Sequence, residues 1–256
     1  MRSIFHLLLR QAQMDFRRRY LGTLLGGIWA IISPLLTIGL IYFVFTFGLK
    51  TGQMGDISFI NWLVPGMLVW FFMSDSLINA CFAIMENSHL VTKVVFPVYI
   101  LPPAKILAAL PVHVLLMSIV LILLTYEGSG TVSTWWQLVY YLFCASILCA
   151  AISFITSACM VFIRDTVQIV GAAVQVLFWA TPIFWNPALL TTPKVKLLLF
   201  SPFNYVVQGY RDALFNAVSF WEKPVETTVF WVVTLFLVAL GVVIFSRTRP
   251  HFADVL

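Results

Sequence analysis

Six apolar stretches, each near the length that crosses a bilayer, constrain this chain more than any other feature. A spanning helix needs about 20 apolar residues, because it rises about 1.5 Å per residue across a hydrocarbon layer about 30 Å thick. The stretches cover residues 24–49, 59–83, 106–126, 135–163, 167–185 and 228–245. Pro34 interrupts the first, Pro65 and Asp75 lie in the second, and the fifth is barely long enough. Together they take up most of the 256 residues, of which 61% are hydrophobic and 10% charged. A soluble domain carries about 25% charged residues, so a water-exposed globule of this composition would show large apolar patches and aggregate. An ordinary cytosolic enzyme, a disordered chain and a nucleic-acid binder are excluded, despite a net charge of +5. The expectation is an all-α membrane protein of six transmembrane helices.

The residues left outside the spans divide into functional segments. In residues 1–23, Ile4, Phe5, Leu8, Leu9, Ala12 and Phe16 recur at helical spacing, with Arg2, Arg10, Arg17, Arg18 and Arg19 around them. That pattern predicts an N-terminal amphipathic interfacial helix lying on anionic headgroups, followed by a six-helix transmembrane domain over residues 24–256. Its apolar stretch is too short for a cleavable signal. Residues 187–225 contain Pro193, Pro202 and Pro224. They are too broken to span, and predict short re-entrant or interfacial helices between spans five and six.

Lys and Arg placement sets orientation. With the N-terminus inside, Arg2, Arg10, Arg17, Arg18, Arg19, Lys93, Lys105, Arg164, Arg247 and Arg249 are cytoplasmic. Lys50, Lys194, Lys196, Arg211 and Lys223 are outside. The imbalance predicts that both termini are cytoplasmic. Lys194, Lys196, Arg211 and Asp212 then face outward, where an anionic polymer or another envelope protein could meet them.

No nucleotide-binding loop, metal-ligand spacing or nucleophile motif occurs in the sequence, and its four histidines and ten carboxylates are scattered. No catalytic role, cofactor or metal is expected in this chain. Cys81, Cys144, Cys149 and Cys159 form no paired motif and read as small hydrophobes within helices. Trp62, Trp135, Trp136 and Trp221 fall near span ends and read as interface anchors. His113 reads as a hydrogen-bonded core residue. Asp75 is either an intramembrane carboxylate facing a partner or cavity, or a residue near water if its span ends early. The loop from Glu86 to Pro97 mixes charge with apolar residues. It is either a short helix presenting a docking face or a solvated loop. Arg164 and Asp165 share a short turn, as a local ion pair or a contact for a partner.

Several of these segments resemble one family. Arg17-Arg18-Arg19-Tyr20-Leu21-Gly22 followed by Trp29 and Ser33-Pro34 resembles the opening of the permease subunits of ABC exporters for O-antigen, teichoic acid and capsular polysaccharide. Glu86-Asn87 with Leu90, Lys93 and Phe96-Pro97 resembles their coupling loop, and Phe162-Ile163-Arg164-Asp165-Thr166 their turn between spans four and five. Phe178-Trp179-Ala180-Thr181-Pro182-Ile183 and Ser201-Pro202-Phe203-Asn204-Tyr205 resemble the fifth span and re-entrant segment.

The resemblance implies a homodimer with two copies of a cytosolic ATPase that carries ATP and Mg. It also implies a lipid-linked polysaccharide cargo, with other envelope export proteins as further partners, and a bacterial inner-membrane location. Teichoic acid, drugs or lipids are alternative cargoes of the same architecture. Arg17, Arg18 and Arg19 are then candidates for meeting the cargo's phosphates, since arginine binds phosphate through two donors at once, and Tyr20 is a candidate for the substrate path beside them. Trp29, Tyr42, Phe178, Trp179, Phe184 and Trp185 are candidates for an aromatic path. Glu86, Asn87, His89, Lys93, Arg164 and Asp165 are candidates for contact with the ATPase.

Overall fold

The computed structural model describes residues 2–20, 26–50, 53–54, 57–92, 96–187 and 197–256. It is mostly helical. Helix α1 (Arg2–Tyr20) is followed by α2 (Trp29–Phe43), which is extended at both ends by tighter and wider turns to cover Gly26–Gly48. A minimal antiparallel pair, β1 (Gln53–Met54) and β2 (Ile57–Ser58), leads into α3 (Phe59–Cys81). The Ser58 hydroxyl accepts from the Asn61 N–H at 3.4 Å and caps that helix. Short α4 (Ser88–Thr92) precedes α5 (Leu101–Tyr126) and α6 (Gln137–Phe162). Then come α7 (Thr166–Ala180), α8 (Pro202–Arg211), α9 (Pro224–Thr248) and α10 (Phe252–Val255).

Among the described residues, five segments are long and apolar enough to cross a membrane: Gly26–Gly48, Phe59–Cys81, Val98–Tyr126, Gln137–Phe162 and Pro224–Val255. The fifth expected span differs. Its helix, α7, has 15 residues and stops at Ala180 rather than reaching Trp185. The cause is local. Proline disfavours helical backbone in the residue before it, and Thr181, just before Pro182, is extended with ψ 133°. The chain then runs on without helix through Thr181, Pro182, Ile183 and Phe184, all buried. Irregular backbone at membrane depth is tolerated where protein covers it. Two other spans begin earlier than expected, α5 at Leu101 and α9 at Pro224, because proline in the first helical turn needs no amide hydrogen.

Helix α3 is the central post, packed against α5, α6 and α8. Its face from Phe59 to Cys81 is largely buried. Helix α8 lies inside the bundle between α3, α6 and α9 rather than on its surface. Gly209 makes that possible, since a Cβ there would stand 2.1 Å from the Tyr141 ring. Gly241 does the same for α9 on α6, with a Cβ position 2.9 Å from the Ala151 carbonyl; small residues let apolar helices approach this closely. By contrast α2 exposes Leu35, Leu36, Leu40, Phe43 and Phe47, and presents nearly its whole circumference to the surroundings. A second, smaller core at the α4 end joins Ile84, Leu101, Val161, Phe245 and Phe252. The four cysteines are unpaired thiols within α3 and α6.

Candidate functional site

A polar stripe on α1 organises the end of the bundle that carries α4. Gln11, Asp15 and Arg19 are spaced four apart, so they fall on one helix face. That face is turned inward. Gln11 and Asp15 are each 4% exposed, while Ile4, Phe5, Leu9 and Met14 are exposed on other sides. Asp15 accepts from the Lys105 ammonium at 3.2 Å, and the same ammonium pairs with Glu86. Gln11 donates through Nε2 to the Asn87 Oδ1 at 3.1 Å, and Asn87 donates to the Ala83 carbonyl at 2.9 Å. Arg19 grips Asp75 with both terminal nitrogens, and Asn79 donates to the same carboxylate at 3.1 Å. Three residues of α1 thus hold the segment before α4, the start of α5 and the middle of α3.

Asp75 resolves accordingly. Its helix does not end early; α3 continues to Cys81, and the carboxylate meets an arginine from another helix. An ionised carboxylate within a span needs such a partner. Arg19 is therefore committed to Asp75, whereas Arg17 and Arg18 are exposed. The side chain of Tyr20, and all of Lys93, Lys194 and Lys196, lie outside the described residues.

The Arg19–Asp75 pair sits at the foot of a cleft of about 500 Å³ between α2, α3 and α5. Trp29, Ser33 and Thr37 line one wall, and Leu68, Phe71 and Leu116 the other. The walls are mainly apolar and the foot is ionic. A second hollow, about 370 Å³, adjoins it through the shared residues Arg19 and Asn79, and is lined by Asp15, Arg18, Glu86 and Lys105. A polar vestibule thus opens into an apolar cleft, with the Arg19–Asp75 pair between them. His113 faces the same cleft and is a buried core residue, its Nε2 2.9 Å from the Tyr210 hydroxyl.

At the α4 surface, Glu86 and His89 are exposed, Asn87 is buried in the α1 contact, and Leu90 and Val91 rest on the small core that includes Phe252. Of the two readings of this loop, the helical one describes residues 88–92. Arg164 and Asp165 are exposed, but they form no ion pair with each other. Consecutive helical-turn residues do not face one another, which corrects the expectation of a local pair.

The six aromatic candidates separate by burial. Phe184 is 7% exposed, set among Phe45, Phe178 and Trp179 with ring centres 4.9–5.5 Å apart. Phe178 and Tyr42 are half-buried against the same core. Trp185 is half-buried and donates from its indole to the Trp179 carbonyl at 3.1 Å. Trp29 and Trp179 are the open ones, 48% and 61% exposed.

The opposite end of the bundle brings two corrections. Arg211 does not face outward; it is wholly buried. Its Nε donates to the Trp62 carbonyl at 3.0 Å, and its terminal nitrogens donate to the Pro182 and Ile183 carbonyls at 2.7 and 2.6 Å. The guanidinium closes the gap where α7 breaks. Trp62 is likewise not an exposed anchor but is buried beneath that guanidinium, which lies 3.7 Å from its ring centre. Trp136 and Trp221 do stack on the exterior, 5.8 Å apart. Asp212, also buried, pairs with Lys223.

Sequence reasoning missed Gln11, Asp15 and Lys105. The available signal was the four-residue spacing of polar side chains through α1, together with a lysine at the start of a span. Comparison with known proteins gives a consistent result. The model of the ABC-2 type transporter family matches residues 4–215. A relative named O-antigen export system permease protein RfbA, from Klebsiella pneumoniae, is 24% identical over 260 residues, covering 99% of this chain and 96% of the relative. A protein of the same name from Myxococcus xanthus is 24% identical over 253 residues, covering 97% and 94%.

Proposed function

The chain belongs to the ABC-2 type transporter family, and from that premise we propose that it is the permease of a machine exporting a lipid-linked polysaccharide. The cargo is of the O-antigen or capsule type, and it moves from the cytoplasmic to the outer side of a bacterial inner membrane. One observation carries the reading: relatives named as O-antigen export permeases align with the chain over nearly its full length and theirs.

The proposed machine is a homodimer of this chain bound to two copies of a cytosolic ATPase, which supplies the ATP and Mg chemistry. The α4 end is cytoplasmic, with both termini on that side. Glu86, His89, Lys93, Arg164 and Asp165 form its ATPase-facing surface. Residues 166–187 complete a sixth crossing as helix plus buried extended chain, and α8 belongs to a re-entrant segment on the outer side.

The cleft supports a cargo that is both lipid and polar. An isoprenoid or acyl chain suits the apolar wall between α2 and α5, and a diphosphate suits the mouth of the polar vestibule at Arg18. Arg18 is the exposed cation that lines it, Arg17 is the exposed cation next to it in the sequence, and Arg19 is paired with Asp75. Trp29 and Trp179, the exposed aromatics, are the residues that offer sugar rings a sliding surface.

The double variant Arg17→Gln/Arg18→Gln tests the recognition step. Each charge-assisted contact contributes about 1.5 kcal/mol or more, so surface glycan is expected to fall about tenfold or more. Membrane level and ATPase co-purification stay at wild-type values. Export at the wild-type rate would remove these arginines from cargo recognition.

A further inference from the structure

The outer end of the bundle holds a third hollow, about 240 Å³, that is separate from the cleft and its vestibule. Trp62 comes to it from α3, Asn204, Tyr205 and Gln208 from α8, and Asp212 and Glu226 from the segments that follow. Two of these residues carry buried polar atoms without partners among the described residues. The Trp62 indole N–H has no acceptor, and the Asn204 amide oxygen has no donor. Trp62 is 9% exposed and Asn204 8%. The Asn204 amide nitrogen is already used, donating to the Leu199 carbonyl at 2.7 Å, which fixes the side chain's orientation. A buried polar atom left unpaired costs about 1–3 kcal/mol, and both atoms belong to residues that line this cavity.

The required chemistry is narrow. The occupant must accept from an indole and donate to an amide oxygen. A bare cation cannot accept. An anion meets the wrong charge: Asp212 is neutralised by Lys223, which leaves Glu226 as the excess negative group among the described lining residues. A hydroxyl does both jobs. Gln208, hydrogen-bonded to Asp212 at 3.2 Å, and the Tyr205 hydroxyl, within 3.0 Å of both Tyr140 and Thr227, provide further polar groups.

We propose that this cavity is a binding site for one neutral, hydroxyl-bearing sugar unit, and that it disfavours uronic acids and phosphorylated sugars. The choice of a sugar among polyhydroxylated molecules rests on the export reading. The site lies within one subunit, bounded by α3, α6, α8 and α9, and so needs no partner copy.

Saturation-transfer NMR on the full-length protein in nanodiscs tests the site, with methyl glucoside and glucuronate as probes. The expected result is transfer to methyl glucoside well above empty nanodiscs and little to glucuronate. Trp62→Phe keeps the ring but removes the indole donor, and Asn204→Ala removes the acceptor. Each is expected to weaken the glucoside signal about fivefold to tenfold, the loss of one hydrogen bond. Glu226→Gln is expected to raise the glucuronate signal. No transfer above empty nanodiscs would mean that the cavity holds water only and would overturn the proposal. Equal glucoside signals from wild type and both variants would overturn it too. Surface glycan, measured in cells carrying the same protein, separates the two readings. Wild-type protein that exports glycan yet shows no transfer defeats the cavity proposal alone; protein that shows transfer but exports nothing bears out the cavity and defeats the export reading.

Discussion

Arg211→Met is expected to lower stability by about 3 kcal/mol, seen as a fall of about 10 °C in unfolding temperature. The native guanidinium gives three hydrogen bonds to carbonyls that have no water to turn to, at Trp62, Pro182 and Ile183. Methionine fills much of the same volume and leaves those oxygens bare. The loss is specific to shape as well as charge. Lysine keeps the charge but presents a single ammonium, which cannot reach carbonyls on two separate segments in the geometry of the planar fork. Arg211→Lys should therefore recover only part of the stability. Gly66 makes the fit possible, because a Cβ there would come within 3.0 Å of the guanidinium. Thermal unfolding of the three proteins in one detergent measures the series. Equal unfolding temperatures would mean that the break after Ala180 does not depend on Arg211.

The second large effect is expected at Lys105. Lys105→Met leaves Asp15, with its side chain 2% exposed, as a buried charge without its counter-ion. Removing one member of a buried pair costs about 3 kcal/mol or more. Asp15→Asn in the Lys105→Met background removes the stranded charge. The pair should show a coupling of about 2 kcal/mol in a double-mutant cycle of unfolding temperatures. Export should respond differently from stability. The single Lys105 variant removes the ionic link between α1 and the segment before α4, because Glu86 and Asp15 share that ammonium, and leaves only the Gln11–Asn87 hydrogen bond of the contacts described above. The double variant repairs stability without restoring the link. Surface glycan is therefore expected to stay low in the double variant even where its unfolding temperature recovers. Additive effects on stability, or export that recovers along with it, would reduce the cluster to ordinary packing.

The run lengths of apolar residues made most of the spans legible, since a bilayer admits few alternatives to a helix of about 20 residues. The expected N-terminal helix, residues 1–23, appears as Arg2–Tyr20. Hydropathy misplaced the end of α7 because Ile183, Phe184 and Trp185 are as apolar as a span requires; the stop comes from backbone sterics at Thr181-Pro182. The ionic contacts were not legible. Arg19 and Asp75 are 56 residues apart, Asp15 and Lys105 90, and Arg211 and the Trp62 carbonyl 149. Nothing local selects such partners. Counting charges by loop placed Arg211 outside because the count cannot see that α8 folds back into the bundle. The aromatic candidates shared one chemistry in the sequence and divided only once burial was known: Phe184 in the core, Trp29 and Trp179 open.

In the proposed function this chain forms the path for a lipid-linked polysaccharide moved by a partner's ATP hydrolysis. Reconstituting the chain with its ATPase in proteoliposomes, with a fluorescent lipid-linked glycan in the ATPase-facing leaflet, tests it most directly. The expected result is that ATP makes the glycan accessible to a glycosidase in the opposite compartment, and that vesicles with either protein alone show no such movement. Glycan that stays protected while the assembled complex hydrolyses ATP would contradict it.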